Sequence, residues 1–180
     1  ATGAIDTGIR SAMVHLKGHE IWMIPILMSL FAIGGTTYGM AEETLAFYAL
    51  LIPVMMAAGY DSVTGVAIIL VGAGIGVLGS TINPFATVIA ANAAGIPFTD
   101  GIIPRFVILL GGLVICIAYV MAYAHRVKQD PSRSAVAKQL EEHKAFFLKR
   151  QAAEEHSDHL TGIQSVVLVL FALTFAVMIW

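Results

Sequence analysis

The sequence predicts an all-α membrane protein built around a re-entrant hairpin and a broken transmembrane helix. Three observations carry that expectation. The chain is 58% hydrophobic and only 12% charged, against roughly 45–50% and about 25% in a soluble domain. Residues 62–99 hold no charged side chain. Near their middle stands Gly79-Ser80-Thr81-Ile82-Asn83-Pro84. One straight helix over 62–99 would measure roughly 57 Å at 1.5 Å per residue, yet the hydrocarbon core of a bilayer is about 30 Å thick. The polar, proline-bearing interruption therefore predicts two half-helices with unwound backbone between them. Freed carbonyl and N–H groups cannot face lipid, so they must line a protein-enclosed cavity.

The elements follow in order. Residues 4–17 read as an amphipathic helix, with Ile5, Ile9, Ala12, Met13 and Leu16 at helical spacing and Asp6, Arg10 and Lys17 elsewhere on the wheel. Such a helix lies in the membrane interface, the alternative being a solvent-exposed linker. Residues 21–60 hold two apolar arms, Ile21–Ile33 and Thr44–Ala58, around the centre Gly34-Gly35-Thr36-Thr37-Tyr38-Gly39-Met40-Ala41-Glu42-Glu43. Apolar arms near 10–14 residues suit re-entrant segments better than full spans. Three glycines and two threonines continue a helix poorly and make a good tip. We therefore read 21–60 as a hairpin that enters the membrane and turns back. Two ordinary spans joined by a wet turn at Glu42-Glu43 remain the alternative.

The broken segment 62–99 and a short polar stretch lead into a span over 104–124. Residues 125–162 form a polar loop holding seven of the ten Lys and Arg residues, which places it in the cytoplasm. Asp130-Pro131 reads there as a helix start. The next span begins at 163–180. If 21–60 returns to its starting side and 62–99 crosses once, Arg10 and Lys17 join the loop charges inside and only Arg105 lies outside. That arrangement satisfies the positive-inside bias, and it is indifferent to whether 21–60 is re-entrant or two spans.

Composition also excludes and localises. A formal net charge of −2 offers no field for nucleic acid. Cys116 lies in an apolar stretch and behaves as a small hydrophobe. Residue 1 is Ala, no signal-peptide pattern is present, and residues 163–180 run apolar to Trp180. These features predict an internal piece of a longer membrane protein.

Two groups of residues can carry chemistry. Gly79, Ser80, Thr81 and Asn83 offer hydroxyl and amide oxygens to a hard cation such as Na⁺, most directly Ser80, Thr81 and Asn83. The N-terminus of the second half-helix, near Phe85, offers N–H groups to a carboxylate. Broken helices of this kind mark the sites of secondary transporters. A kinked helix at a packing site is the alternative, because Gly72, Gly74, Gly76 and Gly79 at even spacing also suit close helix contact. The second group is Thr36, Thr37, Glu42, Glu43 and Thr44. Carboxylates near the membrane interior are costly and usually functional. Poorly solvated neighbours seldom both stay ionised, so one can carry a proton. His156 and His159, with Glu154, Glu155 and Asp158 beside them, read as a solvated loop rather than a metal cluster.

The run from Gly34 to Tyr48, then Pro53, then Gly79-Ser80-Thr81-Ile82-Asn83-Pro84-Phe85-Ala86 resembles the YfcC-like branch of the four-carbon-dicarboxylate anaerobic carrier family. The resemblance covers most of the chain. It implies two inverted repeats, each with a re-entrant hairpin and a broken helix, and a transport domain moving against a dimeric scaffold. Residues 1–124 would then be the first repeat, and the partners would be lipid, the remaining repeat and a second copy. The implied activity is antiport or symport of a small carboxylate-bearing metabolite, a basic amino acid ahead of a dicarboxylate, in the bacterial inner membrane. The coupling ion would be Na⁺ or H⁺, with no other cofactor. Many relatives in the wider superfamily carry Ser-Asn-Thr at the hairpin tip; here Glu42-Glu43-Thr44 is acidic, which suits a cationic or zwitterionic substrate. An intramembrane enzyme and a non-transporting scaffold are the readings of another class. The first lacks a histidine base in the apolar segments.

Overall fold

The computed structural model describes residues 20–153, together with Val166, Val169 and Leu170. The expected interfacial helix 4–17, His156, His159 and most of the span 163–180 lie outside the described residues. The described residues are helical, with no strand. A 3₁₀ turn, Glu20–Trp22, leads into α1 (Met23–Thr37), and the turn Glu42–Thr44 leads into α2 (Leu45–Ala57). Then come α3 (Ser62–Gly79), a π-helical turn Pro84–Val88, α4 (Ile89–Ala94) and α5 (Ile102–Gln129). Two 3₁₀ turns, Pro131–Arg133 and Ala137–Gln139, precede α6 (Leu140–Ala153). Among the described residues, three stretches are long and apolar enough to cross a bilayer: Glu20–Thr37, Ser62–Ala94 and Ile102–Gln129. The protein is a membrane protein.

Helix α3 is the axis of the bundle. Its residues Ile68, Ile69 and Ala73 are buried against Ile24, Met28 and Phe31 of α1, Met55 of α2, and Val120 and Ala124 of α5. The contacts also give directions. Met28 meets Gly72 and Ala32 meets Gly76, so α1 and α3 run parallel. Asp61 meets Tyr123 and Gly79 meets Leu109, so α5 runs antiparallel to α3. Section 20–60 thus begins and ends at the same end of the bundle, where Glu20 bonds Lys128 at 3.3 Å.

The glycines explain the close approach of α1 and α3. A Cβ on Gly76 would lie 2.2 Å from the Ala32 carbonyl oxygen, and one on Gly35 would lie 2.4 Å from that of Ala73. The even spacing in α3 does not serve one face. Gly72 and Gly76 meet α1, Gly79 meets Leu109 of α5, and Gly74 meets nothing within 4 Å, as a helix of 3.6 residues per turn requires.

The first arm differs from expectation. Gly34, Gly35, Thr36 and Thr37 continue α1 by a full turn instead of forming the tip. Their small size is used for packing on α3, and that burial outweighs the weak helix propensity of Gly and Thr. The turn proper is Tyr38–Ala41, with Gly39 at φ +83°, a conformation other residues adopt at a cost. Helix α5 also runs past residue 124, because Ala124 and Val127 are buried and Lys128 reaches Glu20 and lies 4.8 Å from the centre of the Tyr60 ring. The Asp130-Pro131 signal caps only the short turn Pro131–Arg133. There the hydroxyl and N–H of Ser132 hold the Asp130 carboxyl below its usual range.

At the same end, Asp61 is fully buried and accepts four hydrogen bonds. Its Oδ1 takes the N–H and hydroxyl of Thr64 at 2.9 and 2.7 Å; its Oδ2 takes Tyr123 and Ser134 hydroxyls, each at 2.6 Å. One side chain thereby caps α3, ties it to α5 and fastens the polar loop. Asp61→Ala strands these donors. The lost cap costs about 1 kcal/mol and buried unpaired donors about 1–3 kcal/mol. Thermal unfolding of the full-length protein in detergent is expected to show a lowered midpoint for Asp61→Ala and a smaller drop for Ser134→Ala. A midpoint equal to wild type for Asp61→Ala rejects the clasp.

Candidate functional site

The helix ends where the sequence places the interruption. Ser80 adopts φ 40° and ψ 57°, a left-handed conformation that stops α3. Residues 80–83 are non-helical, and helical hydrogen bonding resumes at Pro84. Pro84 stands in the first turn, where its missing N–H costs nothing. Asn83 starts the second arm, its Oδ1 accepting from the N–H groups of Phe85 and Ala86 at 2.9 and 3.1 Å.

The break is not alone. The last turn of α1 docks onto it, bringing together residues 45–48 positions apart. The hydroxyls of Thr36 and Thr81 are 3.0 Å apart, and the Thr81 N–H donates to Thr36 Oγ1 at 2.9 Å. Asn83 Nδ2 donates to the Gly35 carbonyl at 3.3 Å, and the Ile82 N–H to the Thr36 carbonyl at 3.3 Å. Gly39 lies against the Asn83 amide, where a Cβ would come within 2.8 Å of Nδ2. Asn83 is 1% exposed and Thr81 3%, while Ile82 between them is 41% exposed. Ser80, Thr81 and Asn83 are thus buried in protein, as polar groups in a lipid environment must be, and Ile82 turns its side chain outward.

The predicted residues divide by what they do. Thr36, Thr81 and Asn83 are joined, with Gly79 pressed on Leu109 just before the turn. Ser80 Oγ is buried, in a residue 8% exposed, and has no hydrogen-bond partner. It is the one polar side-chain atom in that condition among the described residues. Buried hydroxyls of this kind call for a partner. Thr37 and Thr44 instead close local turns, donating to the carbonyls of Ile33 and Ala41. Glu42 and Glu43 are exposed on the turn that follows, and Glu43 Oε2 accepts from the Ala41 N–H at 3.3 Å. The N–H groups near Phe85, offered in the sequence to a carboxylate, are taken by Asn83 itself.

Arg105 had no place in the site on sequence grounds beyond its count as an outside charge. Its guanidinium spans the two sides of the second arm. Nη1 donates to the Ser80 carbonyl at 3.4 Å, Nε to Gly101 at 3.2 Å, and Nη2 to Asp100 at 3.0 Å and to Phe98. The chain that leaves at Ser80 is thus back within reach of the same side chain at Phe98. The usable signal was scarcity: Asp100 and Arg105 are the sole charged residues between Asp61 and Arg126.

The profile of the family described as C4-dicarboxylate anaerobic carrier, DcuC, matches residues 1–180. An uncharacterized protein of Haemophilus influenzae is 38% identical over 179 residues, covering 99% of this chain and 35% of that protein. The Escherichia coli K12 protein called "Putative basic amino acid antiporter YfcC" is 38% identical over 179 residues, covering 99% of this chain and 34% of its own. The chain thus spans about a third of the length of these relatives. No solved structure matches. With the match running from the first residue to the last, the chain belongs to the C4-dicarboxylate anaerobic carrier family.

Proposed function

We propose that this chain is part of a secondary active transporter, and that the break at residues 80–83 with the end of α1 forms half of its substrate and ion site. One observation carries the reading: the end of α1 is bonded to the unwound segment through Thr36, Thr81 and Asn83, and the Ser80 hydroxyl in that segment is buried and lacks a partner. Interrupted helices lining a cavity bind substrate and coupling ions in carriers. The transported molecule is a small carboxylate-bearing metabolite, with a basic amino acid favoured, since Glu42 and Glu43 place negative charge on the turn beside the site. Ser80 and Thr81 supply oxygens to Na⁺ if Na⁺ is the coupling ion, and Asn83 shapes the break. The complete protein pairs this unit with a second, inverted repeat, works as a homodimer in the inner membrane, and moves the site by an elevator-type motion. Section 21–60 serves as its re-entrant hairpin, and the polar segment that follows α5 is cytoplasmic. Family membership and the E. coli relative's name support a carrier over an enzyme.

Counterflow with the full-length protein in proteoliposomes tests this. Labelled arginine, ornithine and succinate are each offered against internal unlabelled compound, with and without Na⁺ or a pH gradient. Uptake of at least one is expected, and Glu43→Gln is expected to weaken uptake of the basic compounds more than that of succinate. Absence of counterflow and of substrate-dependent thermal stabilisation for all three counts against the reading and for a scaffold.

A further inference from the structure

We infer that Arg105 is the positive group that fixes the carboxylate of the substrate at the helix break, an inference that rests on the transporter reading above. A carboxylate taken out of water needs a positive partner or several donors. The nearest helix-end donors, the N–H groups of Phe85 and Ala86, are bonded to Asn83 Oδ1. The hydroxyls of Thr36 and Thr81 are bonded to each other, and that of Thr87 donates to the Ser80 carbonyl at 2.5 Å. What remains at the break is the Ser80 hydroxyl, buried and unpaired, and the carbonyl of that same residue is shared by the Thr87 hydroxyl and, more loosely, Arg105 Nη1.

Arg105 is also unusual in how its charge is met. Among the described residues it forms no ion pair: its acceptors are four backbone carbonyls, and the Asp100 it touches contributes its carbonyl and not its carboxylate. Carbonyl dipoles orient a guanidinium and leave its unit charge in place. Of its five N–H donors, four are used, and the Nη1 bond to Ser80 is long at 3.4 Å. One Nη1 donor and this weak bond are therefore open to an anionic guest. Arg105 stands in the first turn of α5 and is only partly buried, so its charge stays within reach of a guest that arrives from water. With Glu42 and Glu43 on the α1–α2 turn, a zwitterionic metabolite would meet positive charge at the break and negative charge at the turn.

The test separates charge from clasp. Arg105→Lys keeps the charge and loses the fork that grips three of the carbonyls; Arg105→Gln loses the charge and keeps a donor. In full-length protein, each acid that wild type transports among arginine, ornithine and succinate is compared with its amide as a competitor. We expect wild type to prefer acid over amide. In Arg105→Gln the preference is abolished, with KM for the acid raised about tenfold and kcat little changed; Arg105→Lys keeps most of the preference. The same acid and amide pairs are run as thermal shifts on purified protein, which reads binding even where a variant moves nothing. Equal losses of kcat in both variants with the acid preference intact overturn the inference and leave the transporter standing. Neither transport nor stabilisation by any of the acids in wild type overturns both.

Discussion

Asn83→Ala is expected to reduce uptake by the full-length protein to background while leaving membrane insertion intact. Asn83 bonds three backbone groups, the N–H groups of Phe85 and Ala86 and the carbonyl of Gly35. At 1% exposure no water replaces them. Loss of the cap costs about 1 kcal/mol, and each stranded buried group adds about 1–3 kcal/mol. The segment cannot relax into continuous helix, because Pro84 has no N–H to give and its ring obstructs the preceding turn. The freed Gly35 carbonyl loosens the end of α1, and with it the hold of Thr36 on Thr81. Insertion depends on the apolar length of the three long helices, which the substitution does not touch. Asn83→Asp retains the cap and loses the amide donor, so an intermediate rate is expected. Wild-type uptake by Asn83→Ala, measured at matched membrane expression, would falsify the assignment of this residue.

The second large effect concerns Gly76. Gly76→Ala adds one methyl group, and that group would sit 2.2 Å from the Ala32 carbonyl oxygen and 2.8 Å from the Ala32 Cα. Backbone atoms cannot rotate out of the way, so α1 and α3 must move apart. Overpacking of this kind costs about 1–3 kcal/mol, occasionally more. The damage reaches the site, since Thr36 lies about one turn further along α1 and Thr81 stands just past the end of α3. Gly74→Ala is the control: nothing lies within 4 Å of the added methyl, and helix propensity favours Ala by about 1 kcal/mol. Detergent melts and proteoliposome uptake are expected to show Gly76→Ala lower in both and Gly74→Ala equal to wild type or more stable. Matching melts for the two variants would mean that Gly76 does not set the spacing of α1 and α3.

The interruption at residues 80–83 was legible because it is a contradiction within the sequence. Residues 62–99 are too long and too apolar for one straight span, and Asn83-Pro84 cannot continue a helix smoothly. Both are local facts, settled by bilayer thickness and by the proline ring. The membrane class and an apolar span over 104–124 were legible for the same reason, but the continuation of that helix to Gln129 was not. The role of Gly34 and Gly35 was not. Their flexibility suggested a tip, whereas their lack of a Cβ is what matters, and that becomes visible only once α3 lies alongside. Asp61 stood at the edge of the apolar run in a position typical of helix caps, but its bonds to Tyr123 and Ser134 join residues 62 and 73 positions away.

By itself, then, the order of residues determined that the chain is helical, enters a membrane and breaks its central helix beside a serine, a threonine and an asparagine. These outcomes follow from hydrophobicity, length and backbone chemistry, which act over a few turns. Only the tertiary structure decided which residue answers which. The parallel packing of α1 on α3 brings Thr36 to Thr81, turns Asn83 inward as a cap, leaves the Ser80 hydroxyl unpaired, and brings Arg105 back to the carbonyl of Ser80. Spacing along the chain cannot specify those pairings, because hydrogen bonds act over about 3 Å in space and carry no memory of sequence separation.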